Sequence, residues 1–220
     1  MKFLVFDTET TGLPETRSTS ILDTKKWPHI VQLSWILYDD DAKKVLNCQD
    51  HIIKCQIDIP EASTKIHGIT NEIANQKGVP IDYAMDLFNN DIKSADMIIA
   101  HNISFDKRVC MVESIRLNRR QYFTTNGVRK PEYCTMKETK DFCNIEKISM
   151  KGATYVKYPT LVELHNKLFG VEPLGVHNSM IDVLICLRCH LYFTQKIDII
   201  KMDTELGKMY ASACVDTMHN

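Results

Sequence analysis

The sequence predicts an α/β fold in which helices cover the faces of a mixed β-sheet. Two observations lead to this prediction. The first 54 residues contain three strand-like segments separated by turn residues, which predicts an antiparallel start. Further along the chain, helical patterns alternate with short apolar segments. Strands followed by alternating helices and strands are typical of a mixed sheet with helices packed on it.

The strands follow from runs of apolar residues. Residues 3–8 read as a buried strand, 29–39 as a second, about 44–54 as a third and 95–101 as a short apolar fourth, and the segment "YCTMKE" (133–138) predicts another short strand. Residues 118–133 are polar and basic, and residues 139–158 read as a loop.

The helices follow from apolar spacing and end signals. Ile81, Met85 and Phe88 recur at helical spacing, and another helix starts at about Ser104, which we assign as its N-cap. Residues 160–170 form an amphipathic helix closed by Gly170, and 179–193 form a nearly all-apolar one. We expect a single domain over residues 1–200, with 201–220 as a C-terminal extension of it.

Composition narrows the classes of function. Of the 220 residues 44% are apolar and 25% charged, and 27 basic side chains balance 28 acidic ones to a net charge of -1, which favours no polyanionic partner by itself. No apolar run approaches the ~20 residues of a membrane span, and charge appears too early for a secretory signal, so we expect an intracellular protein, in cytoplasm or nucleus, that contacts no membrane.

The eight cysteines agree with a reducing compartment, because their spacing shows no compact disulfide framework. We expect most of them to be buried thiols. The one C-x-x-C, Cys186 to Cys189, lies in a helical pattern without a second pair, and a structural zinc ion wants four ligands. A zinc-binding redox module is therefore disfavoured.

Two carboxylates stand one residue apart in "VFDTETTGLP". In a strand, Asp7 and Glu9 point the same way and Thr8 points to the other face. Like charges so close repel each other, so either a cation lies between them or one carboxyl group is protonated.

Two further carboxylates lie at helix starts. Asp106 falls in the first turn after Ser104, where it could simply complement the helix dipole. Asp182 is the only acid of its apolar helix, where Ser179 and Asp182 match a capping box. Taken singly, each carboxylate has an ordinary structural explanation, but the four carboxylates together with His177 form one ordered pattern.

That pattern resembles the DEDDh (DnaQ-like) family of 3'-to-5' exonucleases of the ribonuclease H-like superfamily. The motifs are "FDTETTG", "KIHGIT", "HNISFD" and "HNSMID", and the resemblance covers nearly the whole chain. The spacing His177-x-x-x-x-Asp182 marks this branch of the superfamily. The resemblance implies a mixed five-stranded sheet, in which three antiparallel strands precede parallel ones, flanked by helices.

The resemblance also implies a two-metal site that binds Mg²⁺ or Mn²⁺ through carboxylate oxygens. Carried over to this sequence, Asp7 bridges both ions, Glu9 and Asp182 hold the first, and Asp106 holds the second. His177 takes a proton from the attacking water, a role that suits an imidazole at neutral pH; its alternative role is structural, at the start of the last helix. The implied reaction releases nucleoside 5'-monophosphates from 3' ends.

The substrate contacts implied by the resemblance are Thr10, Leu13, Ile66 and His67, with Leu13 against the terminal base. Asn102 also matches a substrate contact, whereas Phe105 is expected in the core. The alternative for Ile66 and His67 is ordinary helix-end packing.

The segment Lys107 to Lys130 has seven basic residues and one acid, a balance of +6, and could either track phosphates or be a solvated surface.

Several alternatives stay open. A catalytically silent member that binds nucleic acid or a polymerase is disfavoured because all five catalytic positions are filled, and an endonuclease is disfavoured by His177 and "HGIT". We expect single-stranded or frayed 3' ends of DNA or RNA as substrate, with DNA favoured, while the motifs decide neither the sugar nor the biological role. A homodimer and a polymerase partner are both compatible with the resemblance.

Overall fold

The structure, a computed structural model, describes residues 1–202 and 204–216. Its strands, in chain order, are β1 (Lys2–Thr10), β2 (Ile30–Asp39), β3 (Lys44–Ile52), β4 (Met97–Ala100), β5 (Thr124–Thr125), β6 (Val128–Arg129), β7 (Glu132–Cys134), β8 (Ile145–Ile148) and β9 (Thr154–Lys157). Its α-helices are α1 (Glu61–His67), α2 (Asn71–Lys77), α3 (Ile81–Ser94), α4 (Ile103–Arg116), α5 (Thr135–Glu138), α6 (Lys140–Cys143), α7 (Leu161–Phe169), α8 (Ser179–Gln195) and α9 (Glu205–Asp216). Single 3₁₀ turns lie at Thr24–Lys26 and Ile199–Lys201.

The central sheet has five strands in the order β3-β2-β1-β4-β7. Strands β1, β2 and β3 pair antiparallel, whereas β4 pairs parallel with β1 and with β7. This confirms the predicted mixed sheet, in which antiparallel strands precede parallel ones. Helices α3 and α4 flank β4 in sequence, as a parallel pair requires a crossover connection.

Alternating side chains of β1 separate two cores. Leu4 and Phe6 pack on one face of the sheet with residues of α3 and α4. Phe3 and Val5 pack on the other face, with residues of α7, α8 and α9. All four side chains are nearly fully buried, so β1 is the central element of both layers.

Helix α7 matches its predicted ends. The Thr160 hydroxyl accepts the backbone N–H of Glu163, and the Glu163 carboxylate accepts the N–H of Thr160, which completes a capping box. Gly170 follows in the left-handed region at φ 74°, as a helix-ending glycine does.

Residues 133–158 differ from the prediction. Within the predicted strand 133–138, β7 ends at Cys134 and α5 follows at once. The predicted loop 139–158 contains α6 and the antiparallel hairpin of β8 and β9. These elements are four residues long and carry mixed polar and apolar side chains, so they give no periodic signal.

The C-terminal region packs on the α8 face of the sheet, where Leu206 and Tyr210 of α9 are buried. Of the predicted extension 201–220, residues 203 and 217–220 lie outside the described residues. Among the described helices, none has both the length and the apolar character that a membrane crossing requires.

Candidate active site

The predicted catalytic residues meet at the carboxyl end of β1. The parallel pairing of β1 with β4 extends only to Val5 opposite Ile99, while β1 itself continues to Thr10. This end of β1 is therefore free of β4, and the starts of α4 and α8 lie against it. Ligand sites in sheets of this kind form at such carboxyl ends.

Asp106 is fixed to β1 through Thr8. The Oδ1 atom of Asp106 accepts the backbone N–H of Thr8 at 3.1 Å and its hydroxyl at 2.8 Å. Thr8 points away from Asp7 and Glu9, as predicted, but its side chain still serves the site because Asp106 approaches from the other face. The sequence alone gave Thr8 no such role.

His177 and Asp182 form a tight pair. The backbone N–H of His177 donates to Asp182 Oδ2 at 3.1 Å. His177 has a φ of 68°, an uncommon conformation for a residue with a side chain, so this stretch of backbone is held by its surroundings. One ligand atom each of Glu9, His177 and Asp182 lies within 4.8 Å of the others.

Ser179 joins α8 to the sheet. Its hydroxyl donates to the Asp7 carbonyl at 2.7 Å, and its N–H donates to Gln32 Oε1 at 3.2 Å. The N-cap of α8 is Asn178, whose Oδ1 accepts the N–H of Ile181. The predicted capping box of Ser179 and Asp182 is therefore wrong, because both side chains face the site instead.

The electrostatics of the site reflect crowded carboxyl groups. Burial, and then the charges of Asp106, Asp182 and Glu9, hold the pKa of Asp7 well above its usual range. Burial and the charges of Asp182 and Asp106 raise the pKa of Glu9 to about 8. Burial also raises the pKa of Asp106 and of Asp182 to about 7. The charges of all three other acids thus act on Asp7, which agrees with the hydrogen bonds that bring Asp106 and the start of α8 to the end of β1.

The cluster fits divalent metal ions of the hard, oxygen-preferring kind. Asp182 Oδ1 is buried and has no hydrogen-bond partner, so it faces the site with an unused acceptor. Unpaired buried acceptors are costly, and a cation among the carboxylates would satisfy this one and offset the repulsion. Mg²⁺ and Mn²⁺ prefer such carboxylate oxygens.

The predicted substrate contacts border this site to different degrees. His67 lies near His177, whose charge adds to burial in lowering the pKa of His67. Its Nε2 atom is buried without a hydrogen-bond partner, while Nδ1 accepts the N–H of Ile69 at 3.1 Å. Gly68 takes a φ of 75° and ends α1, which lets the chain turn directly after His67.

Leu13 and Ile66 are large apolar side chains left in solvent, with exposures of 80% and 58%. Thr10 is buried, and its hydroxyl donates to the Gly12 carbonyl at 2.7 Å, so it shapes the loop that carries Leu13. Both side chains are therefore accessible to a ligand.

Asn102 is exposed and precedes α4 in the left-handed region at φ 64°. It takes the N-cap position without a side-chain capping bond, so the predicted N-cap Ser104 is wrong and lies inside the helix. The half-buried Phe105 packs against the core, as predicted.

The basic segment 107–130 is largely used within the protein. The Arg116 guanidinium donates to the carbonyls of Thr24, Trp27 and Pro28. Four further residues are also engaged: Lys107 pairs with Glu132, Arg119 pairs with Asp86, Arg108 bonds to the carbonyls of Arg17 and Thr19, and Lys130 bonds to the carbonyl of Ala95. The alternative of a continuous phosphate track is therefore not supported for these five residues.

Cys186 and Cys189 are buried, and no cysteine belongs to the possible metal cluster found among the described residues. Burial raises the pKa of both thiols well above the usual range. Burial therefore keeps both thiols neutral and away from solvent.

Comparisons with known proteins agree with this picture. The family model of the RNase T type, described as exonuclease, matches residues 4–189. No curated protein matches the chain. Escherichia coli exonuclease I in complex with a dT13 oligonucleotide superposes with a TM-score of 0.65 at 17% identity, covering 89% of this chain and 42% of that one. Its complex with a dA16 oligonucleotide gives 0.63 and 16%, covering 89% and 41%. The chain thus spans about two fifths of the length of exonuclease I.

Proposed function

Because the chain belongs to the DnaQ-like exonuclease family, whose model matches most of its length, we propose that it removes nucleoside 5'-monophosphates one at a time from the 3' end of a nucleic acid. The single observation that carries this proposal is the cluster of four carboxyl groups with His177 at the end of β1. The family model describes an exonuclease, and the 3'-to-5' polarity, the mechanism and the substrate preference below are our proposals.

The carboxylates have separate roles in this proposal. Asp7, whose pKa is raised by the charges of all three other acids, would be shared by two Mg²⁺ or Mn²⁺ ions. Glu9 and Asp182 would hold the first ion, and the unpartnered Oδ1 of Asp182 supports this assignment. Asp106, whose Oδ1 is already bonded to Thr8, would help to hold the second. Bound at this site, the ions would supply Lewis-acid activation and charge neutralisation at the scissile phosphate.

His177 is the general base of the proposal. Its side chain is exposed and reaches within 4.8 Å of Glu9 and Asp182, where a water molecule could be oriented. The bond from its backbone N–H to Asp182 fixes the ring near the carboxylates without using either ring nitrogen. The ring nitrogen that carries the lone pair, Nδ1 or Nε2 according to the tautomer, is therefore able to accept the proton of the attacking water.

The polarity follows from the residues that would hold the terminal nucleotide. Leu13 and Ile66 offer exposed apolar contacts for a base. His67, next to Ile66 in sequence, has its pKa lowered in part by the charge of His177. A strand held at its last nucleotide presents the neighbouring phosphodiester to the carboxylates. We favour DNA because exonuclease I, of similar fold, is seen with dT13 and dA16. A homodimer and a polymerase partner stay expectations of the resemblance.

The test is digestion of 5'-labelled single strands of DNA and of RNA, with Mg²⁺, Mn²⁺ or a chelator. We expect ladders shortened by single nucleotides from the 3' end, faster for DNA, and no cleavage without metal ions. A bulky 3' cap or a closed hairpin end should protect the strand, since a paired end must first unstack at a cost of a few kcal/mol. A circular single strand should stay intact.

A matched control shows whether a loss of turnover is specific to the site or follows from the removal of any acidic side chain. Asp182→Asn should lose turnover, whereas Asp141→Asn, an exposed acid on α6, should keep it. Internal cuts in the circle would contradict the proposed polarity. Binding of the labelled strand without any cleavage, with metal ions present, would instead favour the catalytically silent alternative.

A further inference from the structure

The hairpin of β8 and β9 exposes a lysine side chain opposite an aromatic ring. Its strands pair with each other and belong to a sheet separate from the central one. Tyr155 is 48% exposed, and Lys147 is exposed directly opposite it, since the register pairs Lys147 with Tyr155. Opposed side chains in an antiparallel pair lie about 5 Å apart at Cβ, so this cation and this ring form one unit.

The pleat separates the two faces of the hairpin. Lys147 and Tyr155 share one face, which we name the Lys147–Tyr155 face, and the next pair, Ile148 opposite Thr154, lies on the other. Glu146 also falls on that other face. A basic and aromatic face is thereby kept apart from the acid of the same strand.

The Lys147–Tyr155 face is continuous with the body of the protein. At its inner end Ile145 packs against the core of the α8 face, and opposite it the Lys157 ammonium bonds the carboxylate of Glu163 at 2.5 Å. Lys157 is thus neutralised, whereas no ion pair among the described residues involves Lys147 or Lys151 at the tip. Lys147 and Lys151 therefore differ from most basic residues of segment 107–130, which bond to other groups of the protein.

The hairpin is also tied to the catalytic helix. The Pro159 carbonyl, two residues after β9, accepts a hydrogen bond from His101 Nε2 at 3.1 Å, and Nδ1 of that ring lies 2.9 Å from the Thr135 hydroxyl. Burial lowers the pKa of His101 to about 4, so the ring is neutral and this pairing persists at neutral pH. His101 immediately precedes Asn102 and α4, the helix that carries Asp106.

We propose that the Lys147–Tyr155 face binds the single strand 5' of the nucleotide being removed, with a base stacked on Tyr155 and a backbone phosphate paired with Lys147. This inference rests on the proposed function, because only a site that works at a 3' end leaves the remaining strand on its 5' side. Aromatic rings beside cations are the usual means of holding a strand without reading its sequence. The occupant is chosen by charge, since Lys147 takes part in no ion pair among the described residues and Glu146, the acid of β8, lies on the opposite face.

The test compares Tyr155→Ala and Lys147→Gln with Ile148→Ser, a matched change on the opposite face. Kinetics use substrates from a dinucleotide up to about 16 nucleotides, the span of such strand-binding surfaces. We expect Tyr155→Ala to raise KM about 10-fold for the long substrates, as for loss of one stacked base, and to leave kcat/KM on the dinucleotide unchanged. Ile148→Ser should match wild type throughout.

Equilibrium binding keeps this test independent of catalysis. In a chelator, fluorescence anisotropy of a labelled single strand should show the same roughly 10-fold loss for Tyr155→Ala, and Lys147→Gln should reduce the salt slope of log Kd by about 0.7. A wild-type protein that binds the strand in this way but cleaves nothing after Mg²⁺ or Mn²⁺ is added would overturn the proposed function and the 5' placement, whereas strand binding by the Lys147–Tyr155 face would stand.

Two outcomes would overturn the hairpin assignment itself. One is that all three variants change KM for long substrates equally, or that none of them changes it. The other is a dimer of this chain that Tyr155→Ala dissociates while Kd for the strand is unchanged, which would make the face a contact between copies. Thermal melts of each variant establish that the hairpin change leaves the fold intact.

Discussion

Asp182→Asn should make the metal-free protein more resistant to unfolding above neutral pH, although it removes a catalytic residue. Burial, assisted by the charge of Asp106, raises the pKa of Asp182 from its ordinary 3.8 to about 7, against the backbone bond from His177. Asparagine keeps an oxygen for that bond and carries no charge. The substitution therefore removes an unfavourable ionisation and preserves the local geometry.

The sign and size follow from proton linkage. A carboxyl group whose pKa is raised on folding contributes stability that is fully present below 3.8 and is lost as pH rises through about 7. Each pH unit of that interval corresponds to about 1.4 kcal/mol, so the loss at Asp182 has an upper limit of about 4 kcal/mol. Water that enters the open site reduces this loss. We therefore expect the free energy of unfolding of the variant and of the wild type to differ by about 1 to 4 kcal/mol.

The assay is urea unfolding in a chelator at about pH 4 and about pH 8, the two ends of the linkage window. Trp27 and Trp35, 4% and 0% exposed, report unfolding by fluorescence. The variant should lose less free energy of unfolding than wild type between the two pH values. Mg²⁺ at about 100 times its Kd should then return about 2.7 kcal/mol to the wild type and much less to the variant.

Equal pH dependence of wild type and Asp182→Asn would refute this reasoning, because the carboxyl group would then not be the source of the loss. Asp141→Asn, on the exposed side of α6, is the control for a change of net charge alone. It should follow the wild type at both pH values.

Three other changes test the remaining parts of the structure. Asp7→Ala should reduce turnover to background while the chain still folds, since Asp7 senses the charges of all three other acids; near-normal turnover with metal ions present would contradict the two-metal proposal. His177→Asn, which tolerates the positive φ, should lower kcat about 10²- to 10⁴-fold in the ladder assay, and an unchanged kcat would return His177 to its structural alternative. Arg188→Ala breaks a buried pair with Asp198 and should cost about 3 to 5 kcal/mol by urea unfolding, where a loss below about 1 kcal/mol would show that the pair is dispensable.

The sheet was predictable from the sequence because its strands are long or strongly apolar. β1 and β2 are buried over most of their length, so their patterns stand out even without alternation. The short strands β8 and β9 have exposed side chains on both faces and read as loop. Their pairing depends on a tight turn and on anchoring through Pro159, neither of which leaves a periodic trace.

The site was predictable as a set of residues and only partly as a geometry. Spacing placed Asp7 and Glu9 on one side of β1, and the motif order added Asp106, His177 and Asp182. Spacing could not predict which groups, distant in sequence, hold these side chains in place. Local patterns favoured Ser179 as half of a capping box, yet its hydroxyl is used by the Asp7 carbonyl, 172 residues away.

The basic segment shows the same limit for charge. A count of cations between residues 107 and 130 cannot tell that the Arg116 guanidinium is directed at the carbonyls of residues 24–28. Those acceptors are backbone atoms that any sequence would supply. Only the packing of α4 against the 3₁₀ turn decides whether such a cation is available to a phosphate.

The bond from Ser179 to the Asp7 carbonyl also bears on the order in which the site forms during translation. Asp182 is translated 175 residues after Asp7, so most of the sheet can form before the cluster is complete. A chain still being translated therefore holds Asp7 and Glu9 without Asp182. The carboxylate cluster is assembled only when α8 docks on the end of β1.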